Sequence, residues 1–200
     1  MNYVAHLFLA EPSDEHRIGS ILADFTAGRI ENLSVRYSPD IARGIQQHRD
    51  IDRFTDTHEH VLNSIACLKP DYGLFSGIVV DVCFDHFLIK HWDEFSEESL
   101  PDFLESIYRS LSRDDWDFPP RYRRVIGHMV REKWLISYRH IDNVGYALSR
   151  IGQRFSRKTP LDDAIHGIKA CYQVLEKDFL LFFPELIEFA TMNGSSPKNV

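Results

Sequence analysis

Two stretches place acids and imidazoles at helical spacing. In Gly77–Ile89, an almost unbroken apolar run, Asp81 and Asp85 stand four residues apart with His86 beside the second. At 100° per residue, four residues bring the two side chains within about 40° around a helix axis. Two carboxylates on one face of a buried helix repel and are poorly solvated. They take up a proton, pair with an arginine such as Arg49 or Arg53, or bind a cation. His48 and Asp52 form the second pair, also four apart. An imidazole and a carboxylate at that spacing can share one metal ion, or simply hydrogen-bond along the helix. Taken together, two inward-facing acidic pairs call for positive charge between them. Asp24, after Ile18, Ile21 and Leu22, is a third candidate, with capping or surface roles as the alternative. His6, inside Val4–Leu9, is a fourth, with a satisfied core histidine as the alternative. His58, His60, His91, His128, His140 and His166 have no such companions.

No competing chemistry is written in the chain. It has no G-x-S-x-G, P-loop, G-x-G-x-x-G or H-E-x-x-H motif. Cys67, Cys83 and Cys171 are an odd set at wide spacing, so neither a disulfide framework nor a CxxC zinc pair is expected, and inert core thiols fit best. That usage suits a reducing compartment.

The elements that must position these residues read as helices. Ser13 caps a segment with Asp14 and Glu15 in its first turn, which Gly28 can end. Ser38-Pro39-Asp40 is a start signal for the helix carrying Ile41, Ile45, His48, Ile51, Asp52 and Thr55. Further helices are expected at 58–69 (stopped by Pro70), 74–92, 101–111, 119–138, 142–155, 160–183 and 184–192. Sustained period-2 alternation is absent, so no sheet is expected. The fold class is therefore all-α, a single compact helical domain over 1–192, with a loose C-terminal tail over 193–200.

Composition narrows the partners. The 200 residues are 44% hydrophobic and include 25 Phe, Trp and Tyr, which excludes low-complexity disorder. Lys and Arg number 23 against 30 Asp and Glu, for a net charge of −7, unlike a protein that coats nucleic acid. The N-terminus lacks a basic leader and has only a short apolar run interrupted by His6, so no signal peptide is read there. The run 78–89 is too short to span a bilayer. A cytoplasmic location, with no membrane and no nucleic-acid partner, is the expectation.

Several segments carry a resemblance. They are Asn2-Tyr-Val-Ala-His6-Leu-Phe-Leu-Ala10, the segment 19–28, Gly44-Ile-Gln-Gln-His48-Arg-Asp-Ile-Asp52, Thr55-Asp56, and Asp81-Val-Cys-Phe-Asp85-His86-Phe-Leu88. With Glu132–Arg139 and the closing 172–184 segment, they resemble the acyl carrier protein phosphodiesterase family, in order and over almost the whole chain. The resemblance implies an HD-phosphohydrolase-like helical bundle. The usual His-Asp doublet of that wider group appears reversed, as Asp85-His86, and no His-Asp dipeptide occurs. The implied activity is hydrolysis of the phosphodiester joining 4′-phosphopantetheine to a serine of holo acyl carrier protein. A divalent metal ion is implied with it. A mainly carboxylate site with some imidazole suits Mn2+ first, with Mg2+, Co2+ or Zn2+ also possible. Asp24, His48, Asp52, Asp81, Asp85 and His86 are then the candidate ligands, not all at once. Arg49 becomes a candidate phosphate clamp. His6 becomes the proton donor to the leaving serine oxygen or a member of the metal shell.

An acidic carrier protein also demands segregated charge. Residues 121–140 hold Arg121, Arg123, Arg124, Arg131, Lys133 and Arg139 against Glu132 alone, a local +5 that leaves −12 elsewhere. Such a patch can steer an acidic partner, or it can be a solvated face tied up in internal ion pairs. Two other functions stay open at this point. One is a metal phosphohydrolase of the same fold acting on a small phosphoester or nucleotide. The other is a helical binding module without catalysis.

Overall fold

Residue packing is organised around one helix that is apolar on nearly every side. The computed structural model describes residues 1–193, and among them it has eleven α-helices, four 3₁₀ turns and no strand. That central helix is α6, Ser76–Lys90, with Val79, Val80, Cys83, Phe84, Phe87 and Leu88 buried. Around it lie α1 (Tyr3–Leu9), α5 (Glu59–Tyr72), α10 (Ile141–Gly152) and α11 (Ala164–Asn193). Phe84 and Phe87 of α6 meet Phe179 of α11 at ring separations of 5.4 and 5.9 Å. Burial of rings this large is the main stabilising term in such a core. The most apolar window of the stretch 59–90 is mostly buried inside the molecule, with α5 and α6 packed on each other.

The second structural unit pairs α2 (Asp14–Leu22) with α4 (Pro39–Thr57), joined through the 3₁₀ turn Ala23–Phe25 and α3 (Ile30–Arg36). Gly19 and Gly44 let these two backbones touch, since a Cβ on either would collide with the backbone of the facing helix. Helices α7 (Trp92–Phe95), α8 (Leu100–Leu111) and α9 (Pro120–Glu132) complete the domain. The Ser13 and Ser38 caps form as read, accepting from the backbone N–H of His16 and Ile41.

Several boundaries differ from the sequence expectations. Pro70 does not stop α5, which runs to Tyr72 and ends at Gly73, where φ is +53°. Pro184 likewise lies inside α11. Phe182, Phe183, Leu186 and Ala190 are buried on both sides of it, and that packing carries the helix across the hydrogen bond the proline cannot make. Helix α9 stops at Glu132, because Lys133 takes a left-handed conformation (φ 46°) and a 3₁₀ turn follows over Trp134–Arg139. Asn193 ends α11 rather than opening a tail; the rest of the expected tail lies outside the described residues.

The cysteine expectation is also corrected. Cys67 of α5 and Cys171 of α11 form a disulfide, with Cα atoms 6.3 Å apart and a sequence separation of 104. Spacing rules find only local frameworks, whereas packing α11 along α5 creates this one. The pairing removes the cysteine argument for a reducing compartment. Cys83 remains a buried thiol whose pKa burial pushes up, as an inert core residue requires.

Candidate active site

The site begins with the register of α4. Ile41, Ile45, His48, Ile51 and Thr55 point into the core, so the helix delivers the His48 imidazole beneath the surface. The Nδ1 of His48 is 2.6 Å from the carbonyl oxygen of Ser20, which can only accept. Nδ1 is therefore the donor, and Nε2 faces the acids: Asp52 Oδ2 at 3.0 Å and Asp24 Oδ1 at 3.4 Å. The touching backbones of α2 and α4 set this arrangement, since Ser20 and Asp24 follow directly from Gly19.

Helix α1 supplies the second imidazole. His6 stacks on His48 with ring centroids 3.8 Å apart and planes 16° from parallel. Its Nε2 lies 3.2 Å from Asp52 Oδ1, a contact not aligned as a hydrogen bond, and neither of its buried ring nitrogens has a hydrogen-bond partner. What holds α1 in place is Asp85. Asn2, at the N-cap position, makes no side-chain cap, and Asp85 of α6 accepts the N–H groups of Val4 at 2.9 Å and Ala5 at 3.0 Å instead. Asp81, one turn earlier, lies 3.1 Å from the Met1 ammonium, which is also 3.6 Å from Asp52. The positive charge that the two acidic pairs call for is thus supplied here by Met1, not by Arg49 or Arg53. Arg53 pairs with Asp50, and Arg49 donates to the Gly28 carbonyl at 2.9 Å, at the rim beside the Asp24 turn.

The electrostatics follow from this packing. Burial lowers the pKa of His6, the charge of His48 adds to the effect, and the result is about 4. Burial also opposes charge on His48, but the two carboxylates at its Nε2, those of Asp24 and Asp52, overcome it and raise its pKa to about 9. Burial works against ionised Asp52 and Asp24, yet the imidazoles hold both carboxyls below their ordinary range. Asp85 goes the other way. Burial, only partly offset by the Val4 and Ala5 bonds, pushes it up to about 7.

Of the sequence candidates, His6, His48, Asp52 and Asp24 converge, and Asp81 reaches the group through Met1. The donor atoms of His6, His48 and Asp52 all lie within 4.8 Å of one another. Asp85 spends both oxygens on α1. His86 stands apart from the group, because its Nδ1 is held by the Tyr138 carbonyl at 2.7 Å and its Nε2 by the Tyr172 hydroxyl at 2.9 Å. The sequence reading did not pick out the Ser20 carbonyl or the Met1 amine; both are backbone groups, which no side-chain pattern marks.

The basic stretch is exposed but unevenly free. Arg123 pairs with Asp114 and Asp117, Arg131 with Glu132, and Lys133 with Glu105. Arg121 lies 5.6 Å over the Phe25 ring. Among the described residues Arg121, Arg124 and Arg139 have no ion-pair partner. Met129 and Tyr138 are core residues.

The chemistry of the group suits a divalent cation. Two imidazoles and one or two carboxylates at this spacing could offer a mixed N/O donor set to a first-row metal ion, and the partnerless Nε2 of His6, beside Asp52, is an atom such an ion would satisfy.

Comparison with known proteins identifies a family. The family model for acyl carrier protein phosphodiesterase matches residues 1–186. A Yersinia pestis protein named acyl carrier protein phosphodiesterase is 34% identical over 191 residues, covering 95% of this chain and 97% of its own. Proteins of the same name from Salmonella agona and an Enterobacter species are 33% identical over 188 residues, 94% of this chain and 96% of theirs. No solved structure matches the chain. With a family match across nearly its whole length, the chain belongs to the acyl carrier protein phosphodiesterase family.

Proposed function

We propose that this protein hydrolyses the phosphodiester between 4′-phosphopantetheine and the serine of holo acyl carrier protein, releasing apo carrier protein and phosphopantetheine. The observation that carries the reading is the orientation of His48, whose Nδ1 is pinned to Ser20 so that Nε2 joins Asp52, Asp24 and His6. His6, His48 and Asp52, with Asp24 at the solvent side, would hold a divalent cation, Mn2+ first and Mg2+, Co2+ or Zn2+ as alternatives. Such an ion supplies two things the reaction needs, a water of lowered pKa and neutralisation of the phosphoryl oxygens.

The chain's own residues divide the remaining work. His6, with a pKa near 4, is neutral at pH 7 and serves as a donor atom rather than as the acid for the leaving serine. Asp24 stands at the opening, its side chain 47% exposed, where substrate arrives. Arg49, anchored at the rim by Gly28, offers its remaining N–H groups to a phosphate oxygen. Asp81 and Asp85 act behind the site, Asp85 by fixing the helix that carries His6.

The test is an intact-mass measurement on holo acyl carrier protein incubated with the enzyme and Mn2+. Loss of the phosphopantetheine mass, abolished by EDTA and by Asp52→Asn, is the expected result. An unchanged carrier protein across several metals, with turnover of a small chromogenic phosphodiester, would move the assignment to a small-phosphoester hydrolase.

A further inference from the structure

A second cationic surface stands beside the opening of the site. Residues 150–158 hold Arg150, Arg154, Arg157 and Lys158 and no acid, and 153–158 are all exposed. Among the described residues none of the four cations has an ion-pair partner. This distinguishes them from Arg123, Arg131 and Lys133, whose charge is already neutralised within the chain. The loop is fixed at its middle, where the Phe155 ring packs edge-on against Phe75 at 5.3 Å. Phe75 immediately precedes α6, and Asp81 follows six residues later, about 9 Å of helical rise. The loop therefore sits at the end of α6 that bears the site. Beside it, Leu74 is 99% exposed. Arg121 stands at the Asp24 turn, its guanidinium 5.6 Å over the ring of Phe25, the residue after Asp24, and the Tyr3 hydroxyl, raised by burial, feels the positive charge of both Arg154 and Arg121.

We propose that the loop bearing Arg154, Arg157 and Lys158, with Arg121 as a further cation and Leu74 as an apolar contact, is the docking surface for an acidic protein face. The occupant is the carrier protein itself, so the inference rests on the function proposed above. Free cations around one exposed leucine match a partner face that mixes carboxylates with an apolar side chain. A nucleic acid fits poorly, because a continuous polyanion crossing this opening would meet Asp24, Asp52 and Asp81.

The experiment compares steady-state hydrolysis of holo carrier protein by the intact enzyme and by Arg157→Glu/Lys158→Glu. Arg109→Glu/Lys177→Glu, at exposed positions of α8 and α11, provides a charge-matched control. Melting temperatures establish that each variant is folded, and Arg157→Gln/Lys158→Gln supplies a half-sized charge change. The docking variant is expected to raise KM for carrier protein about tenfold with kcat nearly constant, and the glutamine variant less. The rise of KM between about 50 and 300 mM salt should flatten in the docking variant only. An unchanged KM in the docking variant, with the wild type turning over carrier protein, overturns this surface and leaves the proposed function standing. A wild type that does not turn over carrier protein overturns both. Loop-dependent binding to anionic vesicles, with carrier turnover unaltered, would reassign the surface to a membrane.

Discussion

His6 and His48 stack face to face at 3.8 Å, yet their surroundings drive their proton affinities in opposite directions. His48 has two carboxylates at its Nε2, whereas His6 has one carboxylate contact, full burial and a charged ring stacked on it. Titration of the imidazole resonances of the metal-free protein should therefore show one histidine near pH 9 and one near pH 4. Linkage follows with definite signs. His48 has a folded pKa above the ordinary histidine value of 6.5, so its stabilisation is complete below pH 6.5 and is lost as pH rises through 9. His6 has a folded pKa below 6.5, so its contribution is present above 6.5 and falls as pH drops toward 4. Two histidines titrating together near 6.5 would sink this picture. His48→Gln should remove the alkaline loss, worth on the order of 3 kcal/mol.

Metal loading should be coupled to that proton. A ligating imidazole must be neutral, and His48 is almost fully charged at pH 7. Mn2+ binding at pH 7 is expected to release about one proton per ion. Calorimetry in buffers of different ionisation enthalpy reads this directly. Binding without proton release would show that the ion sits away from His48.

How far the sequence reached depends on the kind of contact. The His48–Asp52 pair was legible because both residues lie on one helix and helical spacing alone brings them together. Asp24 and His6 were visible as anomalies of composition, but their convergence required α1 and α2 to fold against α4, which no local pattern encodes. Asp85 shows the limit most clearly. A buried acid beside a histidine reads as a ligand, and only the tertiary structure reveals two backbone N–H groups in front of it. The proline breaks failed at Pro70 and Pro184 for a related reason, since packing on both sides of each outweighed a local preference.

The Cys67–Cys171 crosslink closes a loop over a sequence separation of 104 residues. By the chain-entropy account its removal costs up to about 4.7 kcal/mol, and typical measured values are about 2–4 kcal/mol. Cys171→Ser should lower the denaturation midpoint by that amount relative to the oxidised protein. Reductant should lower the wild type to the same level. A midpoint insensitive to reductant would mean that the two thiols do not pair in solution.

The role of Asp85 separates two explanations of why this site needs so many acids. If Asp85 anchors α1, Asp85→Ala leaves the Val4 and Ala5 N–H groups buried without an acceptor, at about 1–3 kcal/mol each. Asp85→Asn keeps one acceptor oxygen and should lose about half as much. Because the folded pKa of Asp85, about 7, lies above the ordinary aspartate value of 3.8, its contribution is full below 3.8 and fades as pH rises through 7. The asparagine variant should lack that dependence. If Asp85 were instead a metal ligand, the metal-free variants would be about as stable as the wild type and their loss would appear in Mn2+ affinity. Denaturation of the metal-free proteins, beside Mn2+ titrations of the same samples, decides between the two. Stability lost without metal identifies the carboxylate as the support that keeps His6 against His48.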